Sequence, residues 1–290
     1  MMRYLVKAVF FLASLIFFSQ GLSFAKESAA DVSSLPLRSL SEKDLAFQAG
    51  ERLNYVIHYK WGWVNSDVAK GSIAIDTVKL GGQRLFKARL SGRTVRFYDT
   101  FFKVREDFAS WFTINGMRPV RFTRDTREGG YYVKNTFSYI WAPQHSYIEA
   151  TIESKHKDLY ITTIPLSDNT YDIPSLFCLA RNLDFSKVKK GERYPLVFAI
   201  DDEIFTIYLI FEGREKKFLK GTGNINTLKF AATLVAGEIF DGSADMYMWF
   251  TDDDNRIPVF FYAPIKVGEI TGYLQSYEGL KHPFNSIVKE

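Results

Sequence analysis

From Phe47 onward, apolar and polar positions alternate along most of the chain. Leu53, Tyr55, Ile57 and Tyr59 interleave with Asn54, Val56, His58 and Lys60, the two-residue period of a strand with one face buried. Segments of the same kind recur at 72–78, 84–90, 101–106, 110–113, 120–123, 131–140, 147–152 and 159–163. Gly81-Gly82, Asn115-Gly116 and Gly129-Gly130 punctuate them, and such pairs supply the positive φ that tight turns need. One stretch breaks the rhythm. Asp172-Ile173-Pro174-Ser175 offers a cap carboxylate and a first-turn proline, and Leu176, Leu179, Ala180 and Leu183 follow at helical spacing; together they predict a short helix over 173–183. Strands resume at 194–199, 205–212, 229–236, 245–251, 257–262 and 265–275. In the last of these the apolar parity switches between Ile265/Val267 and Ile270/Leu274, with Gly268 between. A glycine-centred bulge or a simple strand end would each account for it.

Many short strands at this spacing predict an all-β, mainly antiparallel fold, barrel-like or two-lobed, with one short connecting helix. An internal duplication is also expected. Ala49-Gly50-Glu51-Arg52-Leu53 is echoed by Lys190-Gly191-Glu192-Arg193-Tyr194, and Trp111-Phe112-Thr113 with its downstream Pro119-Val120 is echoed by Trp249-Phe250-Thr251 with Pro258-Val259. The two echoes keep their order and nearly their separation. The resulting division is a first β half over 47–168, a helix region over 169–186, a second β half over 187–280 and a tail over 281–290.

The first residues read as a leader rather than as fold. Arg3 and Lys7 precede an apolar run from Ala8 to Phe18, and Ser23-Phe24-Ala25 follows, the pattern of a secretory signal ending near residue 25. The run is about 11 residues, whereas a helix crossing a bilayer needs roughly 20. The chain is therefore expected to be periplasmic or otherwise exported, with no transmembrane segment after cleavage and a mobile leader over 26–46. Aromatic residues make up 16% of the chain, with 26 Phe and 16 Tyr, which strengthens the strand reading. A formal charge of +4 gives no reason to expect a nucleic acid partner. The single cysteine, Cys178, rules out an intrachain disulfide and reads as core.

Candidate chemistry is sparse. Asp252-Asp253-Asp254-Asn255-Arg256 lacks the spacing of a calcium loop and reads as a turn. The four histidines, His58, His145, His156 and His282, have no zinc-ligand spacing, so no metal is expected. No nucleophile elbow, phosphate loop or dinucleotide fingerprint occurs, so no catalytic residue and no cofactor is assigned. Two features point to binding. Arg118, Arg121, Arg124 and Arg127 recur every three residues after Arg93, Arg96, Lys103 and Arg105, and Arg118 and Arg121 could hold a carboxylate, phosphate or lipid headgroup. Trp61 and Trp63 read as a core Trp beside a rim Trp, the latter able to stack on a sugar or meet a membrane interface.

Three stretches together resemble a known family: Phe47-Gln48-Ala49-Gly50-Glu51-Arg52-Leu53-Asn54-Tyr55; Tyr171-Asp172-Ile173-Pro174-Ser175-Leu176-Phe177 with Arg181; and Trp249 through Pro258 followed by Val267-Gly268-Glu269-Ile270. In that order, from about Phe47 to Leu274, they resemble the exported bacterial domain-of-unknown-function 3108 family. Its characteristic Gly-Ser-Ile is Gly268-Glu269-Ile270 here, a departure. The resemblance implies an envelope protein with a β-barrel-like fold and brings no catalytic residues. The functional expectation is a non-catalytic envelope protein holding an apolar or amphiphilic ligand such as a lipid, or a protein partner, in a β-walled cavity. The alternatives are a carbohydrate-binding or carbohydrate-active protein using Trp61, Trp63, Glu106 and Asp107, and an outer-membrane barrel.

Overall fold

A computed structural model describes residues 35–232, 246–265 and 267–288; the expected signal over 1–25 lies outside them. Fifteen strands among the described residues form one sheet. The first run is β1 (Arg52–Trp61), β2 (Val64–Leu80), β3 (Gln83–Thr94), β4 (Val104–Thr113), β5 (Pro119–Glu128), β6 (Tyr131–Ile140), β7 (Tyr147–Ser154) and β8 (Lys157–Pro165). The second is β9 (Thr170–Tyr171), β10 (Arg193–Ile200), β11 (Glu203–Leu219), β12 (Gly223–Ala232), β13 (Met246–Thr251), β14 (Pro258–Pro264) and β15 (Glu269–Glu278). Helix α1 (Arg96–Asp99) lies between β3 and β4, and α2 (Ile173–Ala180) between β9 and β10. Each run meanders between sequence neighbours, β1 joins the two by pairing with β15, and β8 and β9 are the outermost strands. All pairings are antiparallel except β9 with β10. The sheet is mainly antiparallel, as the alternation predicts, and it is not closed.

Several boundaries differ from the sequence expectation for physical reasons. The segments 101–106 and 110–113 are one strand, β4, because Glu106 and Ser110 occupy inward positions and interrupt the apolar alternation. Residues 101–103 belong to the preceding loop. Strands β2 and β11 each run 17 residues, well past their apolar stretches, because the polar ends of β2 still pair with β1 and β3 and that of β11 with β12. The parity switch at Gly268 is a strand end, since β14 stops at Pro264 and β15 starts at Glu269. Gly268 has φ 90°, and an added Cβ would lie 2.4 Å from the Lys60 carbonyl oxygen. Residues 35–46, expected to be mobile, are tied down from Leu35. Leu37 bridges Leu183, the Asp184 amide donates to the Pro36 carbonyl at 2.6 Å, and Leu45 and Ala46 are buried beside Phe47.

The interior is dense with rings. Phe47, Phe86 and Phe112 pack within 6.3 Å of one another, as do Phe185, Phe230 and Phe250 within 6.1 Å. Helix α2 is apolar around nearly its whole circumference and packs on β3, β4 and β10, as a helix inside a core must. Asp172 caps it: its carboxylate accepts from the Ser175 amide at 3.0 Å, and the Ser175 hydroxyl satisfies the Asp172 amide, a reciprocal capping box. The helix ends at Ala180 rather than 183, with i→i−3 turns at Asn182 and Leu183, and Arg181 just past it meets both Glu51 oxygens at 2.5 and 3.0 Å with both side chains fully buried. The Asn255 and Ala46 carbonyls accept further bonds from Arg181 Nε and Nη2.

The echoed motifs adopt the same local geometry. The Thr113 amide donates to the Arg118 carbonyl at 2.9 Å, and the Thr251 amide to the Ile257 carbonyl at 2.9 Å. In return the Arg118 and Ile257 amides each donate to the corresponding threonine hydroxyl at 2.9 Å. Met117 (φ 51°) and Arg256 (φ 47°) occupy the same left-handed position, and a register shift follows in each hairpin opposite Pro119 and Pro258. Likewise Gly50 and Gly191, both at positive φ, donate to Ile75 of β2 and Phe211 of β11. By these marks the entries into β1 and β10 and the β4–β5 and β13–β14 hairpins share local geometry, in the order that a duplication of β1–β6 as β10–β15 would give.

Candidate functional site

In β4, β5 and β6 one parity faces the interior, and at one end of the sheet that parity is polar. The cross-strand pairs Glu106↔Thr126 and Arg124↔Asn135 place four polar side chains on the inner face where Phe108, Phe122 and Phe137 would otherwise continue the core. Glu128 ends the same face of β5 and is also buried. The turn between β10 and β11 reaches them from the other run of the sheet. Asp201, held at φ 52°, accepts from Arg124 Nη1 and from Asn135 Nδ2, each at 3.0 Å. Its neighbour Asp202 accepts from the Tyr160 hydroxyl of β8 at 3.0 Å. The Asp201 contacts thus link β5 and β6 to the β10–β11 turn, and the Tyr160 bond links the edge strand β8 to the same turn.

The electrostatics are those of acids crowded into a poorly solvated place. Burial, then the nearby Glu128 carboxylate, pushes the Glu106 carboxyl up to about 8, against the opposing pull of Arg124 and of the Thr126 hydroxyl. Thr126 Oγ1 donates to Glu106 Oε2 at 2.5 Å and accepts from Arg124 Nε at 3.0 Å. Burial pushes the Tyr131 phenol, on the next strand, up to about 12. Glu106 Oε1 and Asn135 Oδ1 are buried with no hydrogen-bond partner among the described residues. A buried oxygen without a partner costs about 1–3 kcal/mol, so these two atoms mark where a polar group of another molecule would be best received.

A second buried polar group supports α2. Asp172 Oδ2 accepts from the Ser110 hydroxyl at 2.8 Å and the Tyr139 hydroxyl at 3.3 Å. Burial raises its carboxyl to about 6. All its partners are accounted for within the capping arrangement, so it reads as helix support.

The residues expected to bind a ligand are not brought together. Trp61 and Trp63 sit at the β1–β2 hairpin, and strand direction puts that turn at the opposite end of the sheet from the β4–β5 turn that carries Arg118 and Arg121. Trp61 packs against the second core, whereas Trp63 is 93% exposed. Arg118 lies over Trp141 and Arg121 over Trp111 on the outer surface, each without facing a common centre. Of the candidate acids, Glu106 points inward and Asp107 outward, where Arg89 holds it. Asp253 collects the Thr251 hydroxyl and the Asn255, Arg256 and Ser286 amides, so the acidic run serves turn chemistry. No metal-binding group of His, Cys, Asp and Glu occurs among the described residues. Cys178 is buried. Arg124 and Asn135 were missed as a site. The available signal was charge on the parity of Phe122, which runs Arg124, Thr126, Glu128.

These features define an open, barrel-like antiparallel β protein with an ionisable cluster buried where the sheet fails to close. Residues 54–275 match the family described as Protein of unknown function (DUF3108), and the chain belongs to that family. Among solved structures, a beta-barrel-like protein of domain of unknown function DUF1849 from Brucella abortus is similar at 10% identity, with a TM-score of 0.48, covering 80% of this chain and 98% of its own. No protein with a curated description matches.

Proposed function

We propose that the chain is an exported, non-catalytic binding protein that receives a neutral amphiphile at the opening between β8 and the β10–β11 turn. The observation carrying this reading is the pair of unpartnered buried oxygens, Glu106 Oε1 and Asn135 Oδ1, set beside the aromatic wall of Phe108, Phe122 and Phe137. Asn135 Nδ2 is committed to the Asp201 carboxylate, so its oxygen is left to accept. Glu106, with its carboxyl pushed up to about 8, carries a proton at neutral pH and can donate. A headgroup carrying two hydroxyls can accept from one of these groups and donate to the other. A carboxylate headgroup would face Glu128 and Asp201 as a like charge. This reading assigns the ligand to the polar end of the sheet rather than to the interior beside β3, β4 and β10, against which α2 packs. The spanning-barrel alternative needs a closed sheet, and this sheet ends at β8 and β9.

The test is uptake by delipidated protein of a fluorescent monoacylglycerol against a fluorescent fatty acid at pH 7, beside native mass spectrometry of freshly purified material. Saturable uptake of the monoacylglycerol, weakened at least tenfold by Glu106→Leu while the circular dichroism spectrum stays the same, is expected. Empty protein without saturable uptake of either probe overturns the reading. A second reading rests on Glu106 and Glu128 as an acid pair with one member held protonated, the arrangement of a glycosidase acid and its partner. Turnover of aryl glycosides lost in both Glu106→Gln and Glu128→Gln would establish it in place of the first.

A further inference from the structure

The loop from β3 to β4 presents aromatic rings to solvent in a way that packing does not explain. Phe97 is 66% exposed and Phe101 51% exposed, and their rings meet edge to face at 5.5 Å. The loop is nevertheless fixed. Arg105 makes two bonds to the Asp99 carboxylate at 2.9 and 2.6 Å, the Thr94 hydroxyl also donates to Asp99, and the Val104 amide donates to Thr94 Oγ1 at 3.1 Å. The Gly129 amide donates to the Lys103 carbonyl at 2.8 Å. Phe102 folds back over Gly129, whose missing Cβ would stand 2.9 Å from the ring. One phenylalanine therefore anchors the loop while Phe97 and Phe101 are held outward.

Charge accompanies the rings. Between Arg93 and Arg105 the chain carries Arg93, Arg96, Lys103 and Arg105 against the single acid Asp99. Arg105 neutralises that acid, and Arg93, Arg96 and Lys103 are exposed with no ion pair among the described residues. The β1–β2 turn, with its exposed Trp63, lies at the same end of the sheet, because β2 runs away from that end and β3 returns to it.

We infer that this rim docks on the surface of an anionic phospholipid bilayer. Phe97, Phe101 and Trp63 enter the headgroup layer, and Arg93, Arg96 and Lys103 meet lipid phosphates. Aromatic side chains favour the membrane–water boundary, and cations near an anionic leaflet add attraction that salt screens. Preorganisation of the loop by Asp99 and Phe102 removes most of the ordering cost that a mobile loop would meet on binding. This inference is independent of the ligand reading, which concerns the buried cluster.

The experiment is co-sedimentation of the chain, recovered from an exporting host with its N-terminus sequenced, with vesicles of phosphatidylcholine alone or with 30% phosphatidylglycerol. Binding to the anionic vesicles at least tenfold tighter than to the neutral ones, and weaker at 0.5 M salt, is expected. Phe97→Ser with Phe101→Ser should reduce that binding at least tenfold. Arg96→Glu with Lys103→Glu, both at exposed positions, should abolish the preference for phosphatidylglycerol while the thermal midpoint stays within a few degrees. Equal binding to both vesicle types, no binding, or a phenylalanine double variant that binds like the parent overturns the inference. So does a dimer, detected by light scattering, that the same double variant dissolves, for then a second copy covers the rings.

Discussion

Replacing Glu106 with Gln tests whether this carboxyl is held protonated inside the protein. The side chain keeps its shape and its hydrogen bond from Thr126 but loses the ability to ionise. In the folded chain the carboxyl stands near 8 against an ordinary value of 4.5, so the folded state binds this proton more tightly than the unfolded one. The sign follows from linkage. Below pH 4.5 both states are protonated and the full stability is present. As pH rises toward 8 the unfolded chain ionises while the folded chain cannot, and stability falls by about 1.4 kcal/mol per pH unit. Over pH 5–8 the loss from this group is about 4 kcal/mol, and above 8 it levels off. The Gln variant lacks it.

Urea unfolding of both proteins between pH 5 and 9 measures the difference. At pH 5 the two should agree within about 1 kcal/mol, the usual scale of a conservative polar exchange. The variant should then become the more stable by several kcal/mol at pH 8.5. Asp172, whose carboxyl burial raises to about 6 from 3.8, removes stability from both proteins as pH rises through 4 to 6 and so cancels in the comparison. Curves that stay parallel up to pH 8.5 would refute the argument, showing that Arg124 and the Thr126 hydroxyl already accommodate the Glu106 charge.

The other predictions concern what holds the fold. Arg181→Met leaves the Glu51 carboxylate buried without its cation and should cost about 3–5 kcal/mol, read as a shift in the urea midpoint; adding Glu51→Leu should recover part of it. Asp172→Ala removes the helix cap and strands the Ser110 and Tyr139 hydroxyls, a loss of about 2–4 kcal/mol visible in the same assay. Gly268→Ala puts a Cβ against the Lys60 carbonyl at positive φ and should lower stability by more than about 1 kcal/mol, whereas Gly81→Ala, at positive φ but with open space, should lose less.

The fold was legible because its outward and inward positions differ in kind. Strand β6 was bounded correctly at Tyr131 and Ile140 because its inward residues are nearly all apolar. Strand β4 was cut in two because Glu106 and Ser110 are not. The start of α2 was readable from Asp172 and Pro174, but not the burial of Arg181 just past its end, whose partner Glu51 lies 130 residues away in the chain. The cluster was half visible. Glu106 stood among the candidate acids and Arg124 in the run of arginines, yet a spacing of three on a strand alternates faces and does not say which member turns inward. The pairing registers decide that, and Asp201 arrives from 66 residues beyond Asn135, which no local pattern encodes. Trp63 was readable as a rim residue. That Phe97 and Phe101 share its end of the sheet follows only from strand direction.

The repeated unit explains why the cluster lies where it does. If β1–β6 and β10–β15 are copies, the β1–β15 pairing should have a twin in which β10 pairs with β6, and the sheet would close. The first junction runs for nine residue pairs from Arg52↔Glu278 to Lys60↔Glu269 and is fastened by the Tyr59 hydroxyl on the Val267 carbonyl at 2.7 Å. The twin is absent: β7 takes the edge of β6, and the two-residue β9 takes that of β10. Backbone pairing cannot then bridge the second junction, and side chains take its place through Arg124 and Asn135 on Asp201 and Tyr160 on Asp202. These side-chain bonds, each worth about 0.5–3 kcal/mol net, stand where the first junction has a nine-pair ladder. The second junction is thus held without a backbone ladder, in part by the same side chains that surround the buried Glu106 and Asn135.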